Sequence, residues 1–334
     1  MVALSKLDVT TRKFSMKSSL RIVYAGTSSV ALPALRCIKT SQHALVGVLA
    51  KRVPADLCST DLNNVISVQA QNWQIPVIEA PILRPPKSCT KSALARYELA
   101  REKIHSLAPD IGVIVSYGVL LGEEILSIPR FGWINLHFSL LPQFRGAAPV
   151  QRAIMNGLDS SGFTIFRLER ELDSGAILES KRYTFSRNLN SGEEILKMAE
   201  YSAPFLVEVL DSLDSKLEAA VPQKGSVTHA PKLTYNECQI DWTQNSEKIL
   251  RLIRAANPDP SAYFFENNKR IKVISAKQPS DCFASSLAPG ELVMLDKKVF
   301  VGTADLPVEL VLLHPEGKNK MSGYAWWCGL RTRH

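Results

Sequence analysis

A chain of 334 residues has room for about two domains and can bury a sizeable core without disulfide cross-links. Its 46% hydrophobic and 22% charged residues describe an ordinary globular composition, and no apolar run approaches the ~20 residues of a membrane span, so no transmembrane helix is expected. A net charge of +8 permits a polyanionic partner without requiring one; Cys37, Cys58, Cys89, Cys238, Cys282 and Cys328 show neither a C-x-x-C pair nor zinc spacing, and read as thiols in a reducing compartment.

Residues 1–19 carry Lys6, Arg12, Lys13 and Lys17 against one acid, Asp8. Two readings stand for them: a disordered tail, with Met16 as an alternative start, or a basic, hydroxyl-rich mitochondrial presequence. Leu20–Ala25 is a strand, followed by Gly26-Thr27-Ser28-Ser29 and a helix with Ala31, Leu32, Leu35 and Ile38 on one stripe. That opening is half of a dinucleotide fold, but the second and third fingerprint glycines are missing, so no nicotinamide site is expected. Ala44–Ala50 is the next strand, Val65–Trp73 a helix, and Gln74–Ile78 a strand before the Pro-rich PILRPP. Lys91–Leu107 is a helix packing through Leu94, Tyr97, Ala100, Ile104 and Leu107, and Ile111–Ser116 is a buried strand. Alternation of strand and helix through residue 160 predicts a Rossmann-like, doubly wound parallel sheet.

Two further strand-like runs, Phe163–Leu168 and Ala176–Tyr183, flank a tight Asp-Ser-Gly turn. Ser191–Leu213 is a long amphipathic helix burying Ile195, Met198, Phe205, Leu206, Val209 and Leu213. Residues 214–227 read as a hydrophilic linker broken by Pro222 and Gly225, which divides a domain at 20–213 from one at 228–334. The second contains one helix, Glu247–Ala256, then short runs at Tyr263–Phe265, Ile271–Ile274, Glu291–Leu295, Val299–Val301 and Val308–Leu313. Short strands with turn residues between them predict a small β-barrel.

The chemistry concentrates in GWINLHFSLLPQFRGAAP, Gly132–Pro149. It opens as a strand, runs on as a loop interrupted by Pro142 and Gly146, and closes at a helix start suited to Pro149. Asn135 and His137 are two apart and share one face of the strand, at the end where open α/β sheets hold ligands. An amide and an imidazole there can donate to an oxyanion, and the imidazole can also move a proton. Asp173, on the Asp-Ser-Gly turn, is the candidate to orient it; alone, a capping Asp and a satisfied loop His would explain the same residues.

The motif HxSLLPxxRGAAPxQxAI followed by LDSG at 172–175 resembles the folate-dependent formyltransferases and, among them, the methionyl-tRNA formyltransferases. The resemblance runs from about residue 20 to 330, through RIVYAGTSSVALPAL, PDIGVIVSYGVLL, HAPKLTYNECQIDW, IRAANPDP and HPEGKNKMSGYAWWCGLR. It implies formyl transfer from 10-formyltetrahydrofolate to the α-amino group of methionyl-tRNA, with no metal, by a monomer in the mitochondrial matrix, or in the cytoplasm if the chain is bacterial. Asn135 and a protonated His137 would donate to the formyl oxygen, and Asp173 would pair with His137 and take the amine proton. The resemblance places the folate ring at Tyr117, Gly118, Val119 and Leu120, and gives Ser139, Leu140, Leu141 and Pro142 the path of the loop. It sets Arg145 and Gly146 beside the bound folate or methionyl group. The second domain would be an OB-like barrel holding tRNA through Arg251, Arg254, Lys318, Lys320 and Arg331. The family's basic loop is reduced here to Lys51 and Arg52 within 51–64, which leaves tRNA selection in doubt. Phe138 stands where the family has a small residue, which would narrow the pocket, and Glu171 replaces a common Gly and would perturb His137 if it pointed inward. An N-formyltransferase acting on an amino sugar nucleotide, a formyltetrahydrofolate hydrolase and a non-catalytic folate- or RNA-binding module are the alternatives.

Overall fold

The computed structural model describes residues 19–50, 65–79, 83, 90–279 and 287–331. The possible presequence at 1–18, the reduced loop at 51–64 with Lys51 and Arg52, and most of PILRPP lie outside the described residues.

The first sheet starts with five parallel strands, β1 (Arg21–Ala25), β2 (Ala44–Ala50), β3 (Val77–Glu79), β4 (Ile111–Ile114) and β5 (Trp133–His137). Two antiparallel strands, β6 (Ser160–Arg167) and β7 (Ile177–Thr184), extend it beyond β5, giving the order β3-β2-β1-β4-β5-β6-β7. Strand order reverses at β1, so the crevice between the ends of β1 and β4 is the switch point of this sheet. There Thr27 Oγ1 donates to the Ser116 carbonyl over 2.9 Å, and the Ser28 and Ser116 hydroxyls lie 3.0 Å apart.

Alternate residues of β1 serve opposite cores: Ile22 and Tyr24 face one way, Val23 and Ala25 the other. The first core is covered by α1 (Leu32–Thr40), α2 (Val65–Asn72), α5 (Pro149–Met155) and α6 (Ser191–Asp211); the second by α3 (Lys91–Ser106) and α4 (Glu123–Leu126). An Asn190–Glu193 capping box starts α6, and its buried Met198, Leu206 and Val209 each contribute roughly 1.5–3 kcal/mol. Some expectations need correcting. Leu94 is 39% exposed, because α3 packs through the narrower stripe Tyr97, Ala100 and Ile104. The strand expected from Gln74 begins at Val77, since Gln74 closes the end of α2 with φ +58°. β4 ends at Ile114, as Ser116 turns the chain with φ +48°.

The linker expected at 214–227 is not a free connection. It begins inside α7 (Leu213–Glu218), and Val221 then pairs with Ile177 on β7. Beyond it lie α8 (Ser246–Ala256) and a second sheet of β8 (Ala262–Glu266), β9 (Lys269–Lys277), β10 (Leu292–Leu295), β11 (Lys298–Val301), β12 (Val308–Pro315) and β13 (Met321–Ser322). Its strands are antiparallel in the order β10-β11-β12-β9-β8, with β13 on β12. The β8–β9 turn is Asn267-Asn268, both at positive φ, the backbone a two-residue hairpin needs. Tyr263, Val273, Val299, Leu310 and Leu313 form this core, closed by Trp326 of a further helix, α9 (Gly323–Arg331), which the sequence reading did not separate from its motif. Arg152 of α5 joins the two halves, donating to the Pro231 and Lys232 carbonyls and pairing with Glu237 at 2.7 Å. That contact holds the Glu237 carboxyl down at about 2.

Candidate active site

His137 is the last residue of β5, and the chain then loops from 138 to 148 before Pro149 opens α5. The imidazole is 6% exposed, edge-on to Phe166. Its Nε2 lies 3.0 Å from the Phe144 carbonyl; a carbonyl can only accept, so Nε2 carries the proton and Nδ1 faces Asp173. Phe144 has φ +58°, an uncommon conformation for a bulky residue, and this turns its carbonyl onto the ring. Nδ1 is 3.8 Å from Asp173 Oδ2, beyond a direct hydrogen bond, so the carboxylate acts on it through charge. Burial is the largest influence on the imidazole and pulls its pKa below the ordinary value, against the Asp173 charge and the Phe144 bond, which raise it. Burial thus works against the protonated His137 expected from the sequence, while the Asp173 charge and the Phe144 bond work for it.

Asp173 sits at the turn between β6 and β7 with φ +50° and is 7% exposed. Its Oδ2 accepts from the Gly146 backbone N–H over 2.8 Å. Both glycines that frame it are required by space. A Cβ at Gly146, where φ is +123°, would lie 2.8 Å from the Ala230 carbonyl, and one at Gly175 would collide with the Arg167 carbonyl. Asn135 is half-buried, and its carboxamide makes no hydrogen bond among the described residues, which leaves its donors for a ligand.

The loop residues read as scaffold are held from below. Ser139 is fully buried, its hydroxyl donating to Gln143 O and its carbonyl accepting from Thr164 Oγ1. Thr164 also accepts from the Leu141 N–H, and Leu141 and Pro142 are buried while Leu140 is partly so. Tyr117 is buried, which pushes its phenol well up, whereas Gly118 and Leu120 are exposed, Leu120 at 60%. The next residue, Leu121, is bridged to Leu83, whose carbonyl takes the Gly122 N–H, whereas the backbone groups of Gly118 and Val119 make no hydrogen bond among the described residues and can be offered to a planar heterocycle. Arg145 is turned toward Gln223. Phe138 packs into the first core, and Glu171 is exposed rather than aimed at His137.

Four contributors escaped the sequence reading: Thr164, Phe144, Gln223 and Thr228. Thr228 donates its backbone N–H to Pro142 O, takes the Arg145 N–H on its own carbonyl, and accepts the Phe144 N–H on Oγ1. Thr164, Gln223 and Thr228 are ordinary polar positions outside the motif, Phe144 is an aromatic within it, and nothing in their local pattern marks them.

Lys318 and Lys320 are exposed on the connection between β12 and β13. Arg251 pairs with Glu247 on the same helix face. Arg254 is half-buried and donates to the Leu189 and Ser186 carbonyls, so its guanidinium is already engaged with the first domain. Arg331 ends α9. Among the described residues no group of three or more His, Cys, Asp or Glu is placed to hold a metal ion, and no helix is long and apolar enough to cross a membrane.

Residues 26–210 match the formyl transferase family model, and residues 232–331 match its C-terminal domain. A methionyl-tRNA formyltransferase of Thermobifida fusca (strain YX) is 38% identical, covering 93% of this chain and 97% of its own. HypX from Aquifex aeolicus, solved in complex with tetrahydrofolic acid, has the same fold at a TM-score of 0.60 and 17% identity over 92% of this chain, which spans about half of it (47%). A methionyl-tRNA formyltransferase from Clostridium thermocellum superposes over 91% of this chain and all of its own, with a TM-score of 0.51 and 16% identity. With the buried His137–Asp173 pair at the end of β5 and a second sheet attached behind it, the chain belongs to the formyl transferase family, among the methionyl-tRNA formyltransferases.

Proposed function

We propose that this chain transfers a formyl group from 10-formyltetrahydrofolate to the α-amino group of methionyl-tRNA, preparing it for translation initiation. The observation that carries this is the end of β5, where the Asn135 amide and the buried His137 imidazole share one strand face and the Asp173 carboxylate lies 3.8 Å from the ring. The backbone groups of Gly118 and Val119 suit the hydrogen-bonding rim of a pterin, and the bound folate supplies the formyl carbon that the amine attacks. Asn135 donates to the formyl oxygen as that oxygen gains charge. His137 accepts the amine proton at Nδ1, Asp173, 3.8 Å away, stabilises the imidazolium that results, and the proton passes to N10 of the folate as the bond between N10 and the formyl carbon breaks. Phe144 holds the opposite edge of the ring, so its plane stays fixed during transfer.

The second sheet, through Lys318 and Lys320, contributes tRNA contact, and one copy of the chain suffices. The relatives are bacterial proteins, so a mitochondrial matrix location rests on residues 1–19 alone. A tagged chain that reaches mitochondria equally well without those residues removes that part of the proposal.

The direct test is purified protein with 10-formyltetrahydrofolate and, in parallel, methionyl-tRNA, free methionine and an amino sugar nucleotide. Formylation of the charged tRNA far above the other two is expected. Preference for the sugar nucleotide, or release of formate without an acceptor, overturns the reading.

A further inference from the structure

Gln223 lies in the segment that joins the two sheets, 50 positions from Asp173, among exposed neighbours. Its carboxamide uses its full hydrogen-bonding capacity. Oε1 accepts from Arg145 Nη2 at 2.6 Å and Nε at 3.2 Å; Nε2 donates to the Asp173 carbonyl at 2.8 Å and the Gly175 carbonyl at 2.9 Å. Guanidinium only donates and carbonyls only accept, so the partners fix which way the amide faces. Glutamate cannot make the carbonyl bonds, and lysine and arginine cannot make the guanidinium bonds. We propose that Gln223 is a positioning residue for proton transfer at His137, clamping the turn that carries Asp173 to the loop that carries Arg145 and Gly146.

Asp173 needs such a clamp. Its backbone is in the left-handed region, its turn is exposed at Glu171 and Leu172, and among the described residues its carboxylate accepts one hydrogen bond, from the Gly146 N–H. Gln223 grips the two carbonyls that bracket Ser174, so the turn cannot slide along β7 without breaking both. Arg145, held on its backbone by Thr228 and Ala230, is the fixed post at the other end. The groups facing His137 are Asp173 from this turn, the Phe144 carbonyl from the loop and the uncharged Phe166 ring from β6. Asp173 is thus the charge that Gln223 can move relative to the imidazole.

The role rests on the His137–Asp173 reading above, and the experiment separates the two. Gln223→Ala, Gln223→Met and His137→Ala are compared with the wild type in formylation of methionyl-tRNA, across pH, with folded fraction measured for each. Met keeps the bulk of the side chain and none of its hydrogen bonds. Both Gln223 variants are expected to lose about 10–100-fold in kcat with the KM for folate unchanged. The acid limb of kcat/KM should move to lower pH, because a displaced carboxylate no longer favours the imidazolium. Full activity in Gln223→Met, or a loss that only tracks folded fraction with the acid limb fixed, overturns the role. Undiminished activity in His137→Ala overturns the reading beneath it, and the role with it.

Discussion

At the end of β5 an imidazole and a carboxylate are both less than one-tenth exposed, framed by two glycines and by a phenylalanine at positive φ. On the second sheet, Lys318 and Lys320 stand exposed between β12 and β13. The first arrangement costs backbone strain and desolvation, which is tolerable only where the position of a proton depends on it. The second needs no such framing, because attraction to a phosphate backbone is long-ranged and tolerant of side-chain motion. On the proposed function, charge that does chemistry is buried and over-determined in this molecule, and charge that serves recognition is left in solvent.

The sharpest way to break that contrast is to remove the buried groups. Asn135→Ala, His137→Ala and Asp173→Ala are each expected to lower kcat by about 10²–10⁴-fold with folate still bound, measured by single-turnover formylation and folate titration. Near-wild-type kcat for Asp173→Ala would remove it from proton transfer. Next in size is the frame itself. Gly146→Ala places a Cβ 2.8 Å from the Ala230 carbonyl at φ +123°, and should cost about 1–3 kcal/mol in urea unfolding and reduce kcat as well. Unchanged stability would mean that the loop has room the structure does not show.

A smaller effect concerns protonation. Burial lowers the His137 pKa and Asp173 raises it, so Asp173→Asn should lower it further, read by NMR of the imidazole. Because the folded pKa lies below the unfolded one, neutral His137 contributes stability that is full above the unfolded value and is lost as pH falls through it toward the folded value. An upward shift in Asp173→Asn would mean that another group controls the ring. The smallest expected effect lies on the second sheet. Lys318→Ala with Lys320→Ala should reduce the log–log salt slope of methionyl-tRNA binding by about one to two units and leave formylation of a small methionyl ester unchanged. An equal slope sends the contact elsewhere, and Arg254, already committed to Leu189 and Ser186, is a poor substitute.

Periodicity made most of the framework legible. β2 and the starts of α3 and α6 fall where apolar spacing puts them, and β8 through β12 overlap the five short runs read from the second half. The meeting of His137 with Asp173 was also readable from the motif, one residue closing β5 and the other on the turn between β6 and β7. What stayed hidden is contact between segments whose local chemistry is bland. Gln223 lies in a stretch that looks like a solvated linker, and Thr164 is one more β-branched residue in a strand. The balance of influences on His137 was hidden for a related reason: pairing with an acid is visible in a motif, whereas the burial that opposes it depends on everything packed around the ring.

The segment 221–230 belongs to neither sheet, yet the Arg145 N–H and carbonyl, the Phe144 N–H and the Ala148 N–H all depend on it for partners. A fragment ending at residue 213 would keep every strand of the first sheet and lose all four of those bonds. The loop from 138 to 148 is therefore no part of an independently closing unit. Its amides should exchange hydrogen with solvent whenever either half of the molecule opens, and a protease cut near Gly225 should silence the enzyme while both cores remain folded.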